Sequence, residues 1–302
     1  MKIGVTTFVT DHGIGPVPLG RAVEERNFES FFMPEHTHIP VSRESPFMPM
    51  TAKSDLVLAG ERVPPEMSAG DLPEKYARTP DPLVALSAIS AVTGRLLIGT
   101  GILLVAQRDP IILAKQVASL DHLSGGRFLF GVAAGWNREE MRNHGTDPRL
   151  RNAVLRERIL AMKEIWTREQ AEFHGTHVDF DPILSWPKPV SVPHPPILVG
   201  GEGHPSYRRA QEYGDGWAPI YGGDAEGLAR QITRFRAEAE VTGAPVPPVT
   251  VFWAAADPRV LETLAAAGVE RVLLDLPWAT ESDTLRHLDR LVAAREEFLG
   301  TA

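Results

Sequence analysis

The feature that most constrains this chain is the regular alternation of short apolar, β-branched runs with amphipathic helical stretches. Strand-like runs fall at 2–8, 28–33, 96–105, 127–133, 196–200, 215–220, 248–255 and 270–276, each followed by a helical stretch. Eight such units in 302 residues predict an α/β fold, a (β/α)8 TIM barrel whose active site forms where the strands' C-terminal ends meet. The competing arrangement is a doubly wound open sheet. Against it, the first strand runs on into "TTFVTDHGIG", which has no G-x-G-x-x-G in the right place.

Helix starts are written clearly. Asp81–Pro82, Asp109–Pro110 and Asp257–Pro258 each place a capping carboxylate before a proline at the first helical position. Thr280 to Asp283 reads as a capping box, followed by Leu285, Leu288, Leu291 and Val292 on one helix face. Two segments exceed a minimal barrel within the single domain 1–302. Residues 37–79 form a long Pro-rich, polar, lid-like insertion after the second strand, and 171–195 reads as a hairpin plus a Pro-rich lead-in to the fifth. The Met cluster of "FMPMTAK" and Phe47 read as lid packing.

With 43% hydrophobic and 23% charged residues the chain suits a globular protein with a sizeable core. A formal net charge of -8 argues against general nucleic-acid binding, which needs a basic face. The absence of cysteine excludes disulfides, thiolate metal sites and a Cys nucleophile, and suits a reducing cytoplasm. No secretory signal is read at Met1–Lys2, and the longest apolar run, "LLIGTGILLVA", is too short to span a bilayer. The expectation is a soluble, cytoplasmic protein that binds neither nucleic acid nor membrane.

The strand ends decide function in such a barrel. They carry few carboxylates and many small residues, the surface on which a large flat ligand would lie. "FMPEHTHIP" brings Glu35, His36 and His38 to the second strand's end. The two histidines share a side in an extended segment, which is also the spacing of a metal-dependent hydrolase barrel. That reading lacks further ligands, because "ILVGG" and "GWAPI" carry no His and only Asp275 could contribute. No metal site is expected, and His174 and His177 read as flanks of a turn at Gly175. "VGGEGHPS" is the strongest phosphate signal. Gly200, Gly201 and Gly203 free the backbone N–H groups, and the helix opening near His204 or Pro205 offers its positive end. Arg208 and Arg209 are expected at its rim. "GVAAGWNREE" packs Gly131, Ala133, Ala134 and Gly135 before Trp136–Asn137, so something must approach that backbone closely.

Taken in order, "IGTGILL", "SGGRFLFGVAAGWNREE", "PKPVSVPHPPILVGGEGHP" and "YGDGWAPI" resemble the bacterial luciferase-like superfamily of flavin and deazaflavin oxidoreductases. The resemblance covers nearly the whole chain and is greatest to the actinobacterial branch that uses coenzyme F420. It implies a tricyclic ring lying over a bulge in the third strand, with a non-proline cis peptide matching Gly101–Ile102, and a phosphate held at the fifth. It also implies an acidic-residue–His pair matching Glu35–His36, although many relatives carry Asp at the first position. Trp136 and Asn137 match positions lining the ring and substrate pocket, and Glu139 or Glu140 a position where some relatives carry a polar catalytic residue.

These readings combine into an F420-dependent oxidoreductase passing a hydride between the deazaflavin and a small organic substrate. His36 would be the proton-transfer residue beside Glu35. Thr100, Gly101 and Ile102 would support the ring, Gly135, Trp136 and Asn137 flank it, and Gly200, Gly201, Gly203 and His204 hold the phosphate. The alternatives are an FMN-dependent monooxygenase, a metal-dependent hydrolase and a non-catalytic flavin-binding protein. Arg43, Lys53, Arg62 and Arg108 are candidates for a polyglutamyl tail. Relatives often dimerise beside strands 2 and 3, and the apolar "PLVALSAISAVT" suits a homodimer.

Overall fold

Every one of the eight expected strands is present, and all run parallel. In a computed structural model, which describes residues 1–42, 44–45 and 72–301, the barrel strands are β1 (Lys2–Thr6), β2 (Ser30–Met33), β3–β4 (Leu97–Thr100 and Leu103–Leu104), β5 (Phe128–Ala133), β8 (Ile197–Gly200), β9 (Gly216–Ala218), β10 (Thr250–Ala254) and β11 (Arg271–Asp275). β1 lies between β11 and β2, with Lys2 opposite Arg271 and Val5 opposite Phe31. The sheet closes where Trp217 pairs with Val249 and Ile220 with Phe252. A closed ring leaves no unpaired strand edge. The open-sheet alternative is thereby set aside.

The helices are α1 (Pro16–Glu25), α2 (Lys75–Arg78), α3 (Pro82–Ser90), α4 (Pro110–Ser124), α5 (Arg138–Asn143), α6 (Arg151–Thr167), α7 (Gly203–Tyr213), α8 (Ala225–Thr242), α9 (Pro258–Ala266) and α10 (Glu281–Thr301). Their caps follow local chemistry. Asp81 accepts from the amides of Leu83 and Val84, Asp109 from Ile112 and Asp257 from Arg259. The expected capping pair is present: Thr280 Oγ1 accepts from the Asp283 amide at 3.3 Å and donates to the Asp283 carboxylate at 2.7 Å. Apolar faces of helices and strands meet in a large core running from Ile3 to Phe298, and a second, smaller cluster of Phe32, Leu129, Leu198, Ala218, Phe252 and Leu273 packs separately.

The segment before β8 holds an antiparallel hairpin, β6 (Ala171–His174) with β7 (Asp179–Ile183). After it the chain passes through cis prolines at Trp186–Pro187 and Val192–Pro193. Of the long insertion after β2, residues 43 and 46–71 lie outside the described residues. So do Arg43, Lys53, Arg62, Phe47 and the Met cluster. The part that is described contains α2, which the polar composition of that stretch did not announce. Among the described residues, no helix is long and apolar enough to cross a membrane.

Candidate active site

The third barrel strand is interrupted where the resemblance placed a bulge. Gly99 opposes Leu129, while Leu103 opposes Val132, so this strand uses one residue more than β5 over the same span. The Gly101–Ile102 peptide within it is cis. Thr100 is buried and donates its hydroxyl to the Gly131 carbonyl at 2.7 Å. What approaches Gly131 is this neighbouring strand, because a Cβ there would stand 1.9 Å from the Thr100 carbonyl oxygen. Ile102 remains half-buried.

Glu35 pins the strand just beyond the bulge. Its Oε2 accepts from the Leu104 amide at 2.6 Å, and its Oε1 from Arg108 Nε at 2.7 Å and Arg108 Nη2. Burial pushes the Glu35 carboxyl above its usual range, and the guanidinium and amide pull it back. Arg108 reaches on to Asp81, so its charge is spent within the fold. His36 takes the other direction: its Nδ1 lies 2.9 Å from Glu140 Oε2. His38 is apart from this pair, bonded to Thr37 and to Asn143.

β5 ends at the junction that carries Gly135, Trp136 and Asn137. Gly135 has φ +88°, and a Cβ there would face Leu104, Met141 and Gln107. The requirement for glycine is therefore set by the backbone turn and by protein atoms. Asn137 caps α5 by accepting from the Glu140 amide at 3.1 Å. Glu139 holds the start of the insertion, accepting from the amides of Glu44 and Ser45 and from the Ser45 hydroxyl. Gln107, next to Gly135, keeps both side-chain amide atoms buried without a hydrogen-bond partner among the described residues.

An arc of aromatic rings borders the mouth. Trp136 stands 5.8 Å from His36, His36 5.3 Å from Tyr76, Tyr76 4.6 Å from Phe8, and Phe8 5.9 Å from Trp253. Trp253 has φ +59° and sits where the β10–β11 register shifts. Lys75 places its ammonium 4.9 Å above the Phe8 ring. Burial lowers its pKa against the pull of Asp275 at the end of β11. The same surroundings push the Tyr76 phenol up to about 12.

Across the barrel, β8 turns into α7 through Gly200, Gly201, Glu202 and Gly203. Gly201 (φ +130°) and Gly203 (φ +69°) adopt backbone conformations that other residues rarely do. The first turn of α7 has no side-chain cap, which leaves its amides free for an anion. The Gly201 carbonyl is turned away and held by Trp217 Nε1 at 3.0 Å. His204 leans towards α8, 3.3 Å from Glu238. Arg208 is exposed at the rim, whereas Arg209 is half-buried, with Nη2 3.7 Å from where a Gly201 Cβ would stand and Nε unpartnered. His174 bonds Asp179 across the hairpin at 2.7 Å. Among the described residues, no group of three or more His, Asp or Glu is arranged to hold a metal ion.

A profile of the luciferase-like monooxygenases matches residues 65–296. An uncharacterized protein of Mycobacterium tuberculosis is 37% identical over 295 residues, covering 97% of this chain and 98% of its own length. The chain belongs to the luciferase-like monooxygenase family. The FMNH2-dependent dimethylsulfone monooxygenase of Pseudomonas putida is 35% identical over 140 residues, covering 45% of this chain and 38% of that one. The coenzyme F420-dependent tetrahydromethanopterin reductase of Methanopyrus kandleri shares the fold, with a TM-score of 0.65 at 13% identity, covering 98% and 97% of the two chains. This luciferase-like chain thus belongs to an oxidoreductase class of enzymes.

Several residues of this luciferase-like site were given no role from the sequence. Gln107 had a signal, as a lone amide ending the apolar run "ILLVAQ". Phe8, Tyr76 and Trp253 had none, since each reads as ordinary core or loop. Glu140 was named only beside Glu139, and the two have separate partners.

Proposed function

We propose that the chain transfers a hydride between coenzyme F420 and a small organic substrate, as a cytoplasmic homodimer. The observation that carries this reading is the buried His36–Glu140 pair beside an aromatic arc at the barrel mouth. Moving a hydride to or from a carbonyl carbon requires one proton to move at the adjacent oxygen, and His36 is placed to move it. The residues present fit a flat cofactor bearing a phosphate. The unpartnered Gln107 amide can meet ring heteroatoms, and Trp136, Tyr76 and Phe8 supply aromatic faces. Gly200, Gly201, Gly203 and the open first turn of α7, with Arg209 beneath, suit the phosphate. When bound, the coenzyme supplies the carbon that donates or accepts the hydride. The chain's own residues orient it, and Glu35 holds the bulged strand beneath it through the Leu104 amide. Support for a homodimer comes from Val84 on α3 and Ile112 and Leu123 on α4, which are 70%, 60% and 66% exposed.

A second reading, an FMN-dependent monooxygenase, is favoured by the similarity to the Pseudomonas dimethylsulfone enzyme over 140 residues. Parallel fluorescence titrations of the purified chain with F420 and with FMN decide between them. Tighter F420 binding supports the proposal, tighter FMN binding moves it to the monooxygenase, and binding of neither overturns both.

A further inference from the structure

Three carboxylates cluster around the insertion and α5, and their partners separate them. Glu35 faces the Arg108 guanidinium and the Leu104 amide. Glu139 accepts from two amides and a hydroxyl. Both are engaged by backbone amides together with a side-chain donor. Glu140 is 0% exposed, and its only side-chain partner among the described residues is His36 Nδ1, at 2.9 Å. Its second oxygen, Oε1, is buried without a hydrogen-bond partner among the described residues. Its backbone is fixed by the Asn137 cap, 3.1 Å from its amide.

A carboxylate removed from water is costly unless a donor or a cation meets it. The other ionisable groups near His36 do not bond it. Tyr76 offers a ring 5.3 Å away, Arg108 is committed to Glu35 and Asp81, and His144 bonds Thr37 and meets Glu140 only through space. An ionised Glu140 therefore requires His36 to point a proton at it. The far ring nitrogen, Nε2, makes no hydrogen bond to any described residue.

We propose that Glu140 is the positioning residue for His36. It holds the proton on Nδ1, makes Nε2 the nitrogen that exchanges protons with a ligand, and stabilises the imidazolium formed when Nε2 gains one. The logic is that of a carboxylate fixing a catalytic histidine's tautomer. In its functional meaning this rests on His36 being the acid–base group proposed above. The tautomer itself does not.

The test is a two-bond proton–nitrogen correlation spectrum of the full chain labelled with 15N-histidine, without cofactor, with His36 assigned by the signal lost in His36→Asn. The expected result is a protonated, pyrrole-type Nδ1 and, in the neutral ring, a pyridine-type Nε2. Glu140→Leu, checked for an unchanged backbone amide spectrum, should move His36 to the Nε2–H tautomer that imidazole prefers in water. An Nε2–H tautomer in the unsubstituted protein overturns the proposal, and so does an unaltered His36 in a folded Glu140→Leu. If the leucine variant fails to fold, the spectrum of the unsubstituted protein still decides. Full turnover by His36→Asn would instead overturn the functional reading, leaving the tautomer assignment standing.

Discussion

Glu35 and Arg108 illustrate how a charge legible as a type can have an illegible job. A carboxylate beside a histidine at a strand end reads as chemistry, and the residue that engages it lies 73 positions downstream. No local pattern reveals such a partner, so Arg108 was open to a cofactor tail or to solvent until the fold brought it to Glu35. The pair tethers the end of β2 to the strand beyond the bulge and, through Asp81, to the start of α3. Removing Arg108 leaves Glu35 buried with only the Leu104 amide to meet its charge. Arg108→Met should therefore destabilise the protein by about 3–5 kcal/mol, the usual cost of stranding a buried ion. Arg108→Met combined with Glu35→Gln should recover part of that loss, because a neutral amide is cheaper to bury than a carboxylate. Guanidinium unfolding curves of the three proteins measure both effects. A single variant within about 0.5 kcal/mol of the parent, the range of ordinary surface changes, would show that Glu35 is not held in this way.

Elements were legible where their signals lie within three or four residues. The Asp–Pro helix starts and the Thr280 capping box depend on a side chain reaching an amide in the next turn, and all are found as written. Departures arise where distant chain decides. α1 begins at Pro16, earlier than the amphipathic stretch at 19–27 suggested, and α2 forms within a polar loop. The register shift that turns Trp253 towards Phe8 belongs to the pairing of β10 with β11. The β6–β7 hairpin shows the same division. Its turn at Gly175 is local, but its seat on α6 is not. Glu157 there accepts from the amides of Thr176, His177 and Val178 at 3.2, 2.6 and 3.1 Å. Glu157→Ala should release this element without unfolding the barrel. Hydrogen exchange at the amides of residues 176–178 should accelerate roughly tenfold, in line with losing a bond to a charged group, while β1 and β2 amides stay protected. Unchanged exchange at the turn would place the hairpin's anchor elsewhere.

At the scale of the whole molecule, the eightfold alternation foretold the barrel but not the manner of its closure. The first strand is held between the second and the last, so neither end of the chain can be removed without opening the ring. Arg271 at the start of β11 grips Glu29 just before β2, with Nε–Oε2 and Nη2–Oε1 distances of 2.8 and 2.6 Å. α10 straps α1 from outside, through Asp289 to Arg26 and through Arg295 to the Arg26 carbonyl. A chain lacking residues 269–302 would keep both β1 and β10 but leave each with an unpaired edge, and would uncover both the barrel interior that Leu273 fills and the strand–helix core that Leu274 joins. A half-satisfied ring has no intermediate resting place, because each strand's hydrogen bonds and packing need both neighbours. The truncated chain should therefore show no cooperative thermal transition by near-ultraviolet circular dichroism, whereas the full chain should unfold in one. A truncated form that kept a sharp transition would mean that the first seven strands are a self-sufficient unit. The strand ends that carry His36, Gly135 and Gly201 would then owe nothing to closure.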